Sequence, residues 1–280
     1  MYAITGITGQ VGAALAEALR ESGKPFRAIV RDEAKAGRFA HAAIAALDDT
    51  PALAHAFEGA EAVFILLPPV FDPSPGFPES NRTIASIRDA LLAARPERVV
   101  VLSTIGAEAT EVNLLSQLGQ MERVLGALPM PVTFLRAAWF MENTQWDVAL
   151  AKASGTFDSF LAPLDRRIAM VATKDIGQKA AVLLGERWEG VRVVELEGPQ
   201  RVSPDDIAAS LARALGREVT ARIVPRDTWE ARFREQGMTN PGPRMRMIDG
   251  FNEGWIDFGK GSTKGLTGLD EVIAGLVARG

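Results

Sequence analysis

Residues 1–12 read MYAITGITGQVG, and the rest of the chain can be placed by working outward from them. Tyr2, Ala3 and Ile4 form an apolar run short enough for a buried strand. Gly6, Gly9 and Gly12 follow with two residues between each, and Ala13, Ala14, Leu15, Leu19 and their neighbours then read as a helix. Strand, glycine turn and helix in that order are the context in which this spacing carries meaning. Gly6 permits the tight turn, Gly9 lets backbone approach a pyrophosphate, and Gly12 lets the helix lie close against the strand. Thr8, Gln10 and Val11 complete the turn, whose free amides and helix dipole face an anion.

A second strand is expected at 26–30, after a helix that stops at Gly23. Arg31 and Asp32 stand at its end, about 20 residues past the glycines, where a dinucleotide fold meets the adenosine ribose. Asp32 would bind the 2′-hydroxyl of NAD or cap the short helix starting at Glu33. Arg31 would pair with the 2′-phosphate of NADP, and Lys35 would add charge beside it. The arginine favours NADP(H), with NAD(H) as the alternative.

Residues 42–47 suggest a short strand, Asp48 and Asp49 read as loop and cap, and Thr50-Pro51 as a helix start capped by Thr50. A strand at 62–67 runs into Pro68, Pro69 and a loop holding Pro73, Pro75 and Pro78, a stiff wall or lid. Helix 79–94, strand 99–102 ending at Ser103 and Thr104, helix 111–127 and strand 132–136 follow. This alternation predicts an α/β fold with a Rossmann-type, doubly wound parallel sheet and right-handed crossovers. Loops beyond the carboxyl ends of such strands line the ligand crevice, which places Leu67, Pro68, Pro69 and Ser103 beside a cofactor.

The rhythm changes after Asn143. A boundary near 150 separates a nucleotide-binding domain, 1–150, from a smaller C-terminal α/β region, 151–280, partly packed back on it. In that region strands are expected at 168–171, 191–196 and 218–224, and helices at 175–186, 226–236 and 269–279. Ser203-Pro204-Asp205-Asp206 opens a further helix that ends at Gly216, while 237–260 shows no regular period.

Composition limits the chemistry. The 280 residues are 47% hydrophobic, enough for a large core, and the net charge of −4 argues against a broad nucleic-acid face. Without cysteine there are no disulfides, thiolate metal sites or thiol nucleophiles. With His41 and His55 the only histidines, a multi-histidine metal cage is not expected, and no metal site is assigned. No signal segment or membrane-length apolar span is evident, so a cytoplasmic protein, monomer or homodimer, is expected.

TGITGQVG, the VRD after the second strand, LRAAWFMEN after the sixth, VATKDIG and VVELEGPQRVSPDDIAASLARALGREV together resemble the NmrA-like branch of the atypical short-chain dehydrogenases. The resemblance spans nearly the whole chain. It implies a Rossmann domain binding NADP(H) under a smaller C-terminal part that covers the substrate cleft. Cofactor contacts then map onto Gly6 to Val11, Arg31, the Leu67–Pro69 loop and Ala137, Ala138, Trp139 and Phe140. Members of the branch include NAD(P)H:quinone oxidoreductases and cofactor-sensing regulators with little catalysis.

One departure matters. Ordinary short-chain dehydrogenases use a tyrosine acid with a lysine four residues on, but the only tyrosine here is Tyr2, in the first strand. Aligned through Glu122, the two positions fall at Leu114 and Leu118, and neither donates a proton. General-acid help is worth about 10²–10⁴ in rate, tolerable to lose for a quinone and damaging for a simple ketone. The expected acceptor is therefore a small, planar, apolar molecule such as a quinone. Trp139, Phe140, Phe251 and Trp255 would form its walls, and Thr104 or Asn143 would hydrogen-bond its oxygen. No side chain is assigned as catalytic. The alternative is a non-catalytic NADP(H) sensor acting through a protein partner.

Overall fold

The computed structural model describes residues 1–279. The first half alternates strictly: β1 Tyr2–Ile4, α1 Gln10–Glu21, β2 Phe26–Val30, α2 Glu33–Ala36, β3 Ala42–Ile44, α3 Thr50–Phe57, β4 Ala62–Leu66. Then come α4 Pro78–Ala94, β5 Arg98–Thr104, α5 Ser116–Leu125, β6 Val132–Ala137 and the short β7 Trp139–Phe140. The C-terminal part continues with α6 Gln145–Ser154, β8 Thr156–Ser159, β9 Met170–Val171, α7 Thr173–Gly185 and β10 Val191–Glu197. It closes with α8 Pro204–Leu215, β11 Thr220–Ile223, α9 Trp229–Glu235, α10 Gly242–Glu253, β12 Thr263–Lys264 and α11 Leu269–Arg279.

Among the described residues the main sheet has eight strands, in the order β12-β10-β6-β5-β4-β1-β2-β3, and every pair is parallel. The fold is the expected Rossmann-type α/β sheet. Strand order reverses between β1 and β4, the place where such sheets open a ligand crevice. Both faces are covered. Val100 and Leu102 of β5 enter one apolar core with Leu15 and Ile176, while Val99 and Val101 enter the other with Leu53 and Ile87. That is why the strands read as continuous apolar runs rather than alternating ones. Among the described residues no helix is long and apolar enough to cross a membrane.

Local chemistry accounts for most boundaries. Asp32 caps α2 by accepting the Ala34 amide at 3.0 Å. The cap of α3 is Asp49 rather than Thr50, since the Asp49 carboxylate accepts the Ala52 amide at 3.1 Å. Thr50 is already helical, and its hydroxyl bonds Ser86 on α4 at 2.9 Å. Ser203 and Asp206 form a reciprocal capping box on α8, and Gly216 ends that helix at φ +65°.

Two segments depart from the expected boundaries for tertiary reasons. The helix expected from 111 begins only at Ser116, because Asn113 turns the chain by accepting the Leu115 amide while Leu114 donates to the Pro243 carbonyl at 2.8 Å. The segment 237–260, which lacks a period, contains α10. Pro243 occupies its first turn, and Ile248 and Phe251 are buried against partners remote in sequence.

Candidate active site

The glycine turn leaves β1 at Gly6, whose φ is +66°, and closes with the Gly9 amide donating to the Gly6 carbonyl at 3.0 Å. Gly9 then begins α1, where no side chain caps the helix N-terminus. The two later glycines have different reasons to lack a side chain. A Cβ on Gly12 would lie 2.1 Å from the Gly6 carbonyl oxygen, so helix-to-turn packing requires glycine there. A Cβ on Gly9 would meet only that same oxygen, at 3.4 Å, and would project into open space. Thr8, Gly9 and Gln10 are exposed, while Val11 is buried beneath them.

Parallel register brings the remaining strand ends to one edge of the sheet. Arg31 is exposed just beyond β2 and has no partner among the described residues, its neighbour Asp32 being committed to the α2 cap. Leu67 is buried at the end of β4, and Pro68 and Pro69 are exposed. The proline-rich loop after them is clamped from the far end of the chain. Asp72 accepts the amide and hydroxyl of Thr239, each at 2.8 Å, and the Asn240 amide at 2.7 Å. These bonds, the Thr239 and Asn240 amides foremost, hold the Asp72 carboxyl below its ordinary pKa.

At the end of β5, Ser103 donates to Glu122, which holds Arg136 through two bonds of 2.9 and 2.7 Å. Glu108 adds a third contact to Arg136 at 2.6 Å, and this company raises the guanidinium pKa, the Glu122 bonds most. Ser103 thus belongs to an ion network. Thr104 stands directly opposite Ala137 in the β5–β6 register.

Ala137 and Ala138 are buried, and Trp139 and Phe140 are half-buried in β7, which pairs with β9. The Trp139 ring meets Phe251 of α10 edge-on, centroids 5.0 Å apart at 81°. Phe251 is buried, and Trp255 is half-buried with its indole N–H donating to Glu253 at 2.8 Å. Asn143 is exposed in the 3-10 turn Met141–Thr144. Tyr2 is buried within β1.

A cleft of about 1090 Å³ opens beside the glycine turn. Thr8, Gly9 and Gln10 line it, facing Gln145, Trp146 and Lys152 of α6 and the start of α7. Thr8, Gly9 and Gln10 are the only expected site residues lining it; Gly6, Val11 and Gly12 belong to the turn and α1, Asn143 to the 3-10 turn, Phe251 and Trp255 to α10 and the residues after it, and the rest to the strand ends and β7. Several residues here escaped sequence reasoning. Glu142, within the WFMEN segment, is buried and accepts the Thr173 amide at 2.9 Å and its hydroxyl at 2.7 Å, capping α7 from a distant element. Asp147 on α6 is half-buried, and its carboxyl is pushed up to about 7 by burial first and by Asp158 second. Asp72 is the third. None carried a sequence signal, because each is defined by burial or by a partner on another element.

The model of a family described as NAD(P)H-binding matches residues 6–177, from the glycine turn to α7. The chain belongs to that family. It is 28% identical over 259 residues to an NAD(P)H azoreductase of Xenophilus azovorans, covering 90% of this chain and 85% of the relative. It is 27% identical over 271 residues to quinone oxidoreductase 2 of Escherichia coli, covering 95% and 89%. A crystal structure of an NADPH-dependent quinone oxidoreductase from Escherichia coli, complexed with NADPH, superposes with a TM-score of 0.83 at 25% identity over 99% of both chains. The chain's relatives thus include an NAD(P)H azoreductase and an NADPH-dependent quinone oxidoreductase.

Proposed function

We propose that the protein transfers hydride from NADPH to a quinone or similar planar acceptor, without a tyrosine–lysine pair. The observation that carries this reading is the Trp139–Phe251 edge-on pair at the end of β6, on the sheet edge that begins at the bare α1 N-terminus, with the only phenol buried in β1. The residues present fit a dinucleotide. The open space over Gly9 admits a diphosphate, and uncapped amides of Gln10 and Val11 are oriented to hold it. Arg31, without a partner among the described residues, would pair with a 2′-phosphate. Leu67 to Pro69, Ser103 and Ala137 to Phe140 would complete the contacts along the strand ends. Bound there, the nicotinamide supplies the hydride.

The protein's own part is placement. Trp139, with Phe251 fixing its ring, and Phe140 and Trp255 offer flat apolar surface that excludes water and holds an acceptor within about 3–3.5 Å of its partner. Thr104 and Asn143 would donate to the acceptor oxygen. The acceptor ring stabilises the negative charge it gains, so no side chain needs to deliver a proton in the same step. A stopped assay tests the reading: NADPH with a quinone panel, followed at the reduced-nicotinamide band. Acceptor-dependent loss of absorbance is expected. Tight NADPH binding with no loss for any acceptor would instead favour a redox sensor.

A further inference from the structure

The chain's arginines divide by exposure. Those not fully exposed bond to oxygen: Arg27 and Arg98 to backbone carbonyls, Arg88, Arg136, Arg192, Arg201, Arg232 and Arg246 to carboxylates. Arg244 is the exception among the described residues. Its guanidinium lies over the Phe233 ring at 4.5 Å, and its single polar contact is the Met238 sulfur at 3.7 Å. A guanidinium has five donors, is charged at any physiological pH, and is costly to desolvate without an anion. With no carboxylate beside it, burial draws its pKa below the ordinary guanidinium value.

The helix shows which way Arg244 faces. Arg244, Met247 and Phe251 stand at i, i+3 and i+7 of α10, hence on one face. The direction of that face is fixed by Phe251, which packs on Trp139 at the end of β6. Seven residues of helix separate the backbone positions of Arg244 and Phe251 by about 10 Å along the axis. The distance matches the length of a fused-ring acceptor with one substituent. On its other side Met238 adjoins Thr239, which Asp72 ties to the loop beyond β4.

We propose that Arg244 is an anchor for an oxyanion carried by the acceptor, a sulfonate, carboxylate or phosphate at the end remote from the ring carbons that receive hydride. The inference rests on the reductase reading for the position of the acceptor. Phe233 holds the guanidinium carbon 4.5 Å from its ring centroid, and donors with no oxygen partner among the described residues would take the anion by a two-point contact. The natural acceptor is therefore an anionic aromatic rather than a neutral membrane-soluble quinone.

The test is calorimetric binding to the full chain, with and without saturating NADP⁺, of naphthalene-2-sulfonate and of its neutral isostere naphthalene-2-sulfonamide. Wild type should bind the sulfonate about 10–100-fold more tightly, as for one desolvated charge-assisted contact. The ratio should fall towards one in Arg244→Met, which keeps an apolar stem on Phe233, and be partly restored in Arg244→Lys. A ratio near one in wild type, no measurable sulfonate binding, or a ratio that survives in Arg244→Met would overturn the proposal, and the wild-type comparison does not depend on any variant folding. Turnover of menadione and of the anionic 1,2-naphthoquinone-4-sulfonate in the same preparation separates the two readings. Turnover without sulfonate preference removes only the Arg244 anchor; sulfonate preference without turnover removes only the reductase.

Discussion

Gly9 and Gly12 look equivalent in the sequence and differ in what surrounds them. Gly9→Val adds carbon where only the Gly6 carbonyl oxygen, 3.4 Å from its Cβ, lies near, so the variant should fold with an unchanged melting temperature and lose dinucleotide binding. Gly12→Ala forces a Cβ to 2.1 Å from backbone oxygen and should destabilise by about 2–3 kcal/mol, read by urea melts. Arg31→Ala should raise the Kd for NADPH about 10–100-fold, the loss of a charge-assisted pair, and that for NADH less than threefold; equal losses would remove Arg31 from the phosphate site. Asp147 predicts a pH effect. Its folded pKa of about 7 exceeds the unfolded value of about 4, so the folded state holds the proton more tightly. The stability this confers is complete below about pH 4 and is lost as pH rises through 7. Asp147→Asn should abolish that decline and gain about 2 kcal/mol over wild type at pH 8, measured by melts across the pH range.

Elements whose chemistry is local were legible in the sequence. Capping box and terminal glycine mark α8 because both ends are decided within a few residues. The identity of α10 was not legible, since its period is weak and its helix is sustained by burial of Ile248 and Phe251 beneath remote partners. Asp72 shows the same dependence. The proline-rich loop reads as a stiff wall, yet its position is set by a carboxylate clamp on Thr239 and Asn240. Asp72→Ala should therefore make the 68–77 loop severalfold more susceptible to limited proteolysis while the melting temperature hardly moves, because an exposed clamp governs local opening rather than the core. Equal protection in both proteins would show that proline stiffness alone holds the loop.

For the whole molecule, the order of strands and helices in the first half, the glycine turn and the placing of candidate residues at strand ends all follow from sequence. A parallel strand buried on both faces must be apolar throughout, a crossover helix must follow it, and right-handed connection leaves few topologies. Near neighbours along the chain therefore suffice to write that part of the fold. Tertiary structure alone decided that Ser103 is tied into the Glu122–Arg136 network, that Glu142 caps α7, that Asp147 lies near Asp158, and that Arg244 has no oxygen partner among the described residues. The physical reason is common to all four. The burial of a polar group, and the charge that answers it or fails to, depend on side chains of other elements, which no local pattern can bring together.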